Sequence, residues 1–178
     1  MAQIFWSHSK RDKDIMAYFD SIFAGVEVRG VRVEFERFEP PAAKYIMGQI
    51  SESEALFVLL GPNIPKTSAT QAWVGFEIGY AAATRRPIID IWVFEPTDYA
   101  PVDFPVPFLH HYMPYDMRSK NDRLYISEIA KTYKRSRLLR AVPVGYKLVV
   151  CAHCKSGYHL HKDIGQLNCP VCRSLVRA

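Results

Sequence analysis

One carboxylate in this chain stands where a carboxylate is costly. The stretch Thr70-Gln71-Ala72-Trp73-Val74-Gly75-Phe76-Glu77-Ile78-Gly79-Tyr80-Ala81-Ala82-Ala83 is almost wholly apolar, and Glu77 is its single charge. With Thr70 as N-cap, Val74, Ile78, Ala81 and Ala82 recur at the spacing of a helix laid on a core. Trp73 and Glu77 are four apart and share a face. A carboxylate there loses hydration and needs a partner. Two uses fit the pattern: a helix-edge Glu that reaches solvent or an Arg, or a catalytic carboxylate in an apolar, Trp-walled cleft.

The second chemically able group is Cys151-Ala152-His153-Cys154 with Cys169-Pro170-Val171-Cys172. Two CxxC knuckles presenting thiolates from tight turns have the layout of a zinc ribbon, a closed tetrahedral site that is usually structural. In a cytosolic chain the pattern points to metal rather than disulfides. Iron in a rubredoxin-like site is the minor alternative. His153, His159 and His161 are near, but four Cys already satisfy zinc. So short a module lacks a core of its own, and metal supplies the missing stability.

The elements that must position these groups alternate. Ala2 to Trp6 reads as a strand ending in a polar loop, Ser7-His8-Ser9-Lys10-Arg11. Ser9 and Asp12 form a capping-box pattern before a helix with Ile15, Tyr18, Phe19, Ile22 and Phe23 as its stripe. Val31, Val33 and Phe35 alternate with charges as a half-exposed edge strand, and a short helix carries Tyr45, Ile46 and Ile50. Ala55 to Leu60 is a continuous apolar run, the mark of a strand buried on both faces. Pro87 to Phe94 reads as another. Pro96, Pro101, Pro105 and Pro107 then forbid a regular helix and imply an irregular crossover. A short strand is expected near Leu109–Tyr115, and a basic helix over Asn121–Arg140.

Strand–helix alternation implies right-handed crossovers and a mostly parallel sheet. The expected fold is α/β and flavodoxin-like, with five parallel strands in the order 2-1-3-4-5, over residues 1–140. A zinc ribbon follows over 145–178. In that order ligands bind outside the carboxyl ends of strands one and three, between the Ser7–Arg11 and Gly61–Thr70 loops. The Glu77 helix follows the second loop, so topology brings the odd carboxylate to the expected crevice.

The net charge of +5 is unevenly spread. Residues 1–117 hold 10 Lys+Arg against 15 Asp+Glu, whereas residues 118–178 hold 13 against 3. The basic end suits an acidic protein surface, a neighbouring subunit or nucleic acid. No run approaches transmembrane length and no signal peptide is evident, so a cytoplasmic location and no membrane partner are expected.

Over most of residues 2–140 the sequence resembles the TIR domains, especially bacterial and archaeal ones. Ile4-Phe5-Trp6-Ser7-His8-Ser9 is similar to the family's first box, Asp12 to the acidic residue after it, and Arg37 to Pro41 to its BB loop. Thr70-x-x-Trp73-x-x-x-Glu77 is similar to its helix motif. The usual small residue after the BB-loop Pro is absent, and the later Phe-Trp box has no clear counterpart. The resemblance implies cleavage of NAD⁺ between nicotinamide and ribose, by hydrolysis or by cyclisation to a cyclic ADP-ribose, in prokaryotic defence or signalling. It also implies a homo-oligomer through TIR-like contacts.

The chemistry suits the residues. Nicotinamide leaves NAD⁺ neutral, so the reaction asks chiefly for support of an oxocarbenium-like ribose, the difficulty that glycosidases meet with carboxylates. Glu77 is the expected catalytic residue. Trp73 walls the site; Ser7, His8, Ser9, Lys10 and Arg37 are the expected substrate-binding residues, taking ribose and phosphate. Cys151, Cys154, Cys169 and Cys172 are the expected metal ligands. Two other functions fit the same sequence. One is a non-catalytic TIR-like assembly module. The other is a nucleic-acid-binding adaptor acting through the ribbon, with Tyr158 its main aromatic for base stacking.

Overall fold

A computed structural model describes residues 1–33, 43–84, 89–134 and 144–177. Its element order is β1 (Gln3–Ser7), α1 (Lys13–Phe23), β2 (Arg29–Val31), α2 (Ala43–Ser51), β3 (Ala55–Leu59), α3 (Ser68–Ala83), β4 (Asp90–Pro96), β5 (His111–Tyr115) and α4 (Lys120–Thr132). The ribbon adds β6 (Tyr146–Val150), β7 (Gly157–His161), β8 (Gln166–Asn168) and β9 (Leu175–Arg177).

The main sheet has seven strands in the order β2-β1-β3-β4-β5-β7-β6. It is parallel except for the antiparallel β6–β7 pair. The five-stranded sheet expected from the sequence is therefore corrected. The first five strands are neighbours in the expected order, but β7 extends the sheet beyond β5. His111 pairs with His159, and the His159 N–H donates to the His110 carbonyl at 2.9 Å. Strands β8 and β9 form a separate small sheet.

Period-two alternation sorts the strand side chains onto two faces. Ile4, Trp6, Phe57, Leu59, Trp92 and Phe94 meet the stripes of α1 and α4 in an aromatic core. Phe5, Leu56, Val58, Ile91 and Val93 meet α2 and α3 on the other face. Ribbon residues Cys151, Tyr158, Leu160, Cys169 and Val176 belong to this second core, continuous with Val102, Val106, Leu109 and Tyr112 of the crossover and β5.

Local details depart from expectation for physical reasons. The N-cap of α3 is Thr67, not Thr70: Thr67 Oγ1 accepts the Thr70 N–H at 3.2 Å and the helix begins at Ser68. The Ser9–Asp12 capping box does not form, because the Asp12 carboxylate turns to Asn63 instead. Ala82 is exposed, and the buried stripe of α3 runs Val74, Glu77, Ile78, Ala81. Helix α4 ends at Thr132 and a turn follows over 133–134. Phe35, the BB-loop span and Arg85–Ile88 lie outside the described residues, as do residues 135–143.

Candidate functional site

Alternation along β1 decides which side chain faces α3. Phe5 points to the α2–α3 core and Trp6 to the opposite one, so Ser7 returns to the α3 side at the carboxyl end of the strand. There the Ser7 hydroxyl, fully buried, donates to Glu77 Oε2 at 2.5 Å. Glu77 is only 5% exposed and sits on the core stripe of α3 rather than at its edge. Burial pushes its carboxyl up to about 8, and the Ser7 hydrogen bond only partly opposes that. At neutral pH the group is therefore held mostly as the neutral acid. A cation beside it would return it to the charged form.

The loop after β1 and the loop after β3 are tied together. Asp12 is buried, and its Oδ1 accepts from the Asn63 backbone N–H at 3.2 Å and from the Asn63 side-chain amide at 2.5 Å. Gly61 allows this approach, because a Cβ there would lie 2.0 Å from Asp12 Oδ2. Burial raises the Asp12 carboxyl above its usual range, against the lowering by Asn63. Ser9 is buried in the same loop and accepts the Arg11 N–H at 3.3 Å. His8 Nδ1 lies 3.3 Å from the Trp6 carbonyl. The two loops at the switch point are thus held at a fixed separation, with Ser7 and Glu77 beneath them.

Of the expected site residues, Ser7 and Glu77 are in direct contact, and His8 and Ser9 continue the same loop. Lys10 is exposed. Trp73 is half-buried one turn before Glu77 and meets Phe76 edge-on at 5.7 Å. Arg37 lies outside the described residues. The tie of Asp12 to Asn63 and Gly61 carries no local signal in the sequence, since those partners are far along the chain.

The four cysteines form a second centre. Their Sγ atoms all lie within 4.8 Å of one another, with Cys151–Cys172 at 3.7 Å and Cys154–Cys169 at 3.8 Å. A tetrahedral metal with bonds of about 2.3 Å spaces its thiolates by about 3.8 Å, so the cluster fits a metal ion. The two knuckles repeat one geometry. Cys151 donates its N–H to Ser156 O and Cys169 to Ser174 O, while Lys155 and Arg173 both take φ of 61°. Hydrogen bonds from Ser156 and Ser174 lower the thiols of Cys154 and Cys172, the latter to about 6, whereas burial pushes the Cys169 thiol up to about 12.

Arg173, next to a ligand, anchors the ribbon to the sheet. Its Nη1 donates to both oxygens of buried Glu95 at 3.3 and 3.1 Å, and its Nη2 to the Phe104 carbonyl at 3.1 Å. Glu95 also accepts from the Val102 N–H and the Tyr112 hydroxyl. The signal in the sequence was a Glu directly after the apolar run Ile91–Phe94. Tyr158, the expected base-stacking aromatic, is 1% exposed and is core instead.

No family model matches the chain, and no curated protein matches it. Among solved structures it is similar to the TIR domains of the activated Roq1 resistosome directly recognising the pathogen effector XopQ. That likeness has 13% identity and a TM-score of 0.39, and covers 55% of this chain and 58% of that one. The chain thus spans less than two thirds of that neighbour's length. The fold is mixed α/β with a mostly parallel seven-stranded sheet, a four-cysteine cluster able to hold a metal ion and, among the described residues, no helix long and apolar enough to cross a membrane.

Proposed function

We propose that the chain is a TIR-like NAD⁺ nucleosidase that breaks the nicotinamide–ribose bond, with a structural zinc ribbon. The observation that carries the reading is the buried Ser7–Glu77 pair at the carboxyl end of β1. Unlike buried Glu95, which Arg173 neutralises, Glu77 is bonded to a hydroxyl and keeps its countercharge to offer a cation. In the reaction the C–N bond electrons pass to the pyridinium nitrogen, nicotinamide departs neutral, and the ribose is left as an oxocarbenium-like centre. Water then attacks that centre to give ADP-ribose and a proton, or a nitrogen of the adenine attacks it to close a ring.

Glu77 holds the countercharge. The cationic substrate draws its carboxyl into the ionised form, and the Ser7 hydroxyl orients the oxygen it bonds. His8, Ser9 and the α1 N-terminus take ribose or phosphate, with Lys10 and Arg37 as pyrophosphate cations and Trp73 as a wall. Asp12 acts as a positioning residue, fixing the two loops. Zinc is held by Cys151, Cys154, Cys169 and Cys172 and stabilises the fold without entering the chemistry. The setting is prokaryotic defence or signalling, in the cytoplasm, with activity gained on homo-oligomerisation. The test is release of nicotinamide from NAD⁺ by purified protein, dilute and concentrated, alongside E77Q. Loss of about a hundredfold or more in a folded E77Q variant is expected; equal turnover would sink the mechanism.

A further inference from the structure

A cleft of about 210 Å³ opens where the carboxyl end of β5 meets the first turn of α4 and the ribbon strands β6 and β7. No residue of the Ser7–Glu77 site lines it. Tyr115, Tyr125, Tyr146 and His161 contribute rings to its walls. Alternation along β7 turns His161 to the α4 face, where register sets it opposite Tyr146 of β6, and the two rings meet edge-on at 5.4 Å. Tyr125 of α4 leans on the same imidazole at 5.3 Å. Two carboxylates complete the lining, Asp116 just past β5 and Asp122 in the first turn of α4.

The carboxylates of Asp116 and Asp122 set the charge of this cleft. Asp122 Oδ2 accepts the Asp116 N–H at 2.8 Å, which holds the Asp122 carboxylate against the backbone of Asp116. Asp116 Oδ1 accepts from Arg118, whose side chain is 82% exposed and is not part of the lining. Neither Lys nor Arg lines the cleft among the described residues. An anion such as a nucleotide phosphate would meet two carboxylates and neither a Lys nor an Arg. A hydrated metal ion would require a full shell of oxygen ligands, which rings do not supply. What suits aromatic faces together with carboxylates is a cation whose charge is spread over carbon-bearing groups.

We propose that this cleft binds a small organic cation of the alkylated-ammonium class, with Tyr125, Tyr146 and His161 as the ring walls and Asp116 and Asp122 as the countercharge. The site is independent of the NAD⁺ reading and stands or falls separately. It joins three parts of the chain, β5, α4 and the ribbon, so an occupant would also clamp the ribbon to the helix.

The test uses the full chain with its metal and choline as the probe. The control is choline's uncharged isostere, in which carbon replaces the quaternary nitrogen. Titration is followed by calorimetry and by the aromatic proton resonances of Tyr125 and Tyr146. Expected is saturable choline binding at millimolar concentration, with the neutral isostere about tenfold weaker or more. Tyr125 is 45% exposed and the Asp116 side chain 39%, so Y125L and D116N leave the core intact. Each variant should weaken choline about three- to tenfold with an unchanged unfolding temperature. Equal binding of the neutral isostere, absence of saturation, or undiminished binding in both variants would overturn the assignment.

Discussion

Replacing Glu77 by Gln removes one ionisable group and nearly preserves the side-chain shape, so it isolates what burial does to that carboxyl. In the folded chain burial holds the proton up to about pH 8, against 4.5 for an ordinary glutamate. Between those values the folded chain keeps a proton that the unfolded chain has released. The unfolded state then binds fewer protons, so stability falls as pH rises from about 4.5 to about 8 and is level above. At about 1.4 kcal/mol per pH unit, the whole separation sets a ceiling of about 5 kcal/mol. Relaxation and water entry should leave a few kcal/mol of it.

The amide of E77Q has no proton to lose, and every other titrating group is shared by the two proteins and cancels. Urea unfolding of both, from about pH 5 to about pH 9, should show the variant gaining on the wild type up to about pH 8 and holding its lead beyond. A difference that stays flat across that range would refute the reasoning, since Glu77 would then be an ordinary wet carboxylate. The same charge logic reaches the substrate. If a cationic nicotinamide ring sits beside Glu77, NAD⁺ binding below pH 8 expels a proton and tightens with pH in the wild type but not in E77Q.

Three further outcomes are expected. Metal analysis should find about one zinc per chain, and Cys169→Ser should release it and lower the unfolding temperature, because four thiolates close the site and its binding energy is folding energy. Arg173→Met leaves Glu95, 6% exposed, without its cation and should cost about 3–5 kcal/mol in denaturant unfolding, with E95Q in the same chain restoring much of it. Gly61→Ala forces a methyl onto Asp12 and should cost about 1–3 kcal/mol, while raising the KM for NAD⁺ through the displaced loops more than it alters the global fold.

What could be read from the sequence is what local periodicity encodes. The strands β1, β3 and β4 and the helices α1 and α3 announce themselves by apolar runs and stripes, and Glu77 by interrupting one. The same interruption misplaced the stripe. Glu77 occupies a core position that pattern logic reserves for an apolar residue, so the reading rotated the face toward Ala82, which is exposed. The Asp12–Asn63 tie and the His111–His159 pairing join residues far apart in sequence, and no local signal carries either. Thr67 and Thr70 are equivalent caps on composition. Ser68 and Ala69 give no apolar onset to separate them.

The position of the ribbon follows from a gap the Pro-rich crossover leaves. A parallel sheet must be covered on both faces. Helices α1 and α4 cover one, and α2 and α3 cover the other over β1, β3 and β4. Prolines at 96, 101, 105 and 107 prevent the β4–β5 connection from supplying a further helix there, and it contributes only Val102, Val106 and Leu109. Tyr112 of β5 would lie bare on that face. The ribbon fills the space with Tyr158, Leu160, Cys169 and Val176, and its β7 takes up the open hydrogen bonds of β5. The exchange runs both ways. A module of this size cannot bury a core alone, and here it borrows one from the sheet, with a four-cysteine cluster able to hold a metal at the knuckles and Arg173 neutralising Glu95. Loss of metal should therefore be felt first at Tyr112, Glu95 and the crossover. The Ser7–Glu77 pair lies across β3 and β4 from that edge, and it should persist until the sheet itself opens.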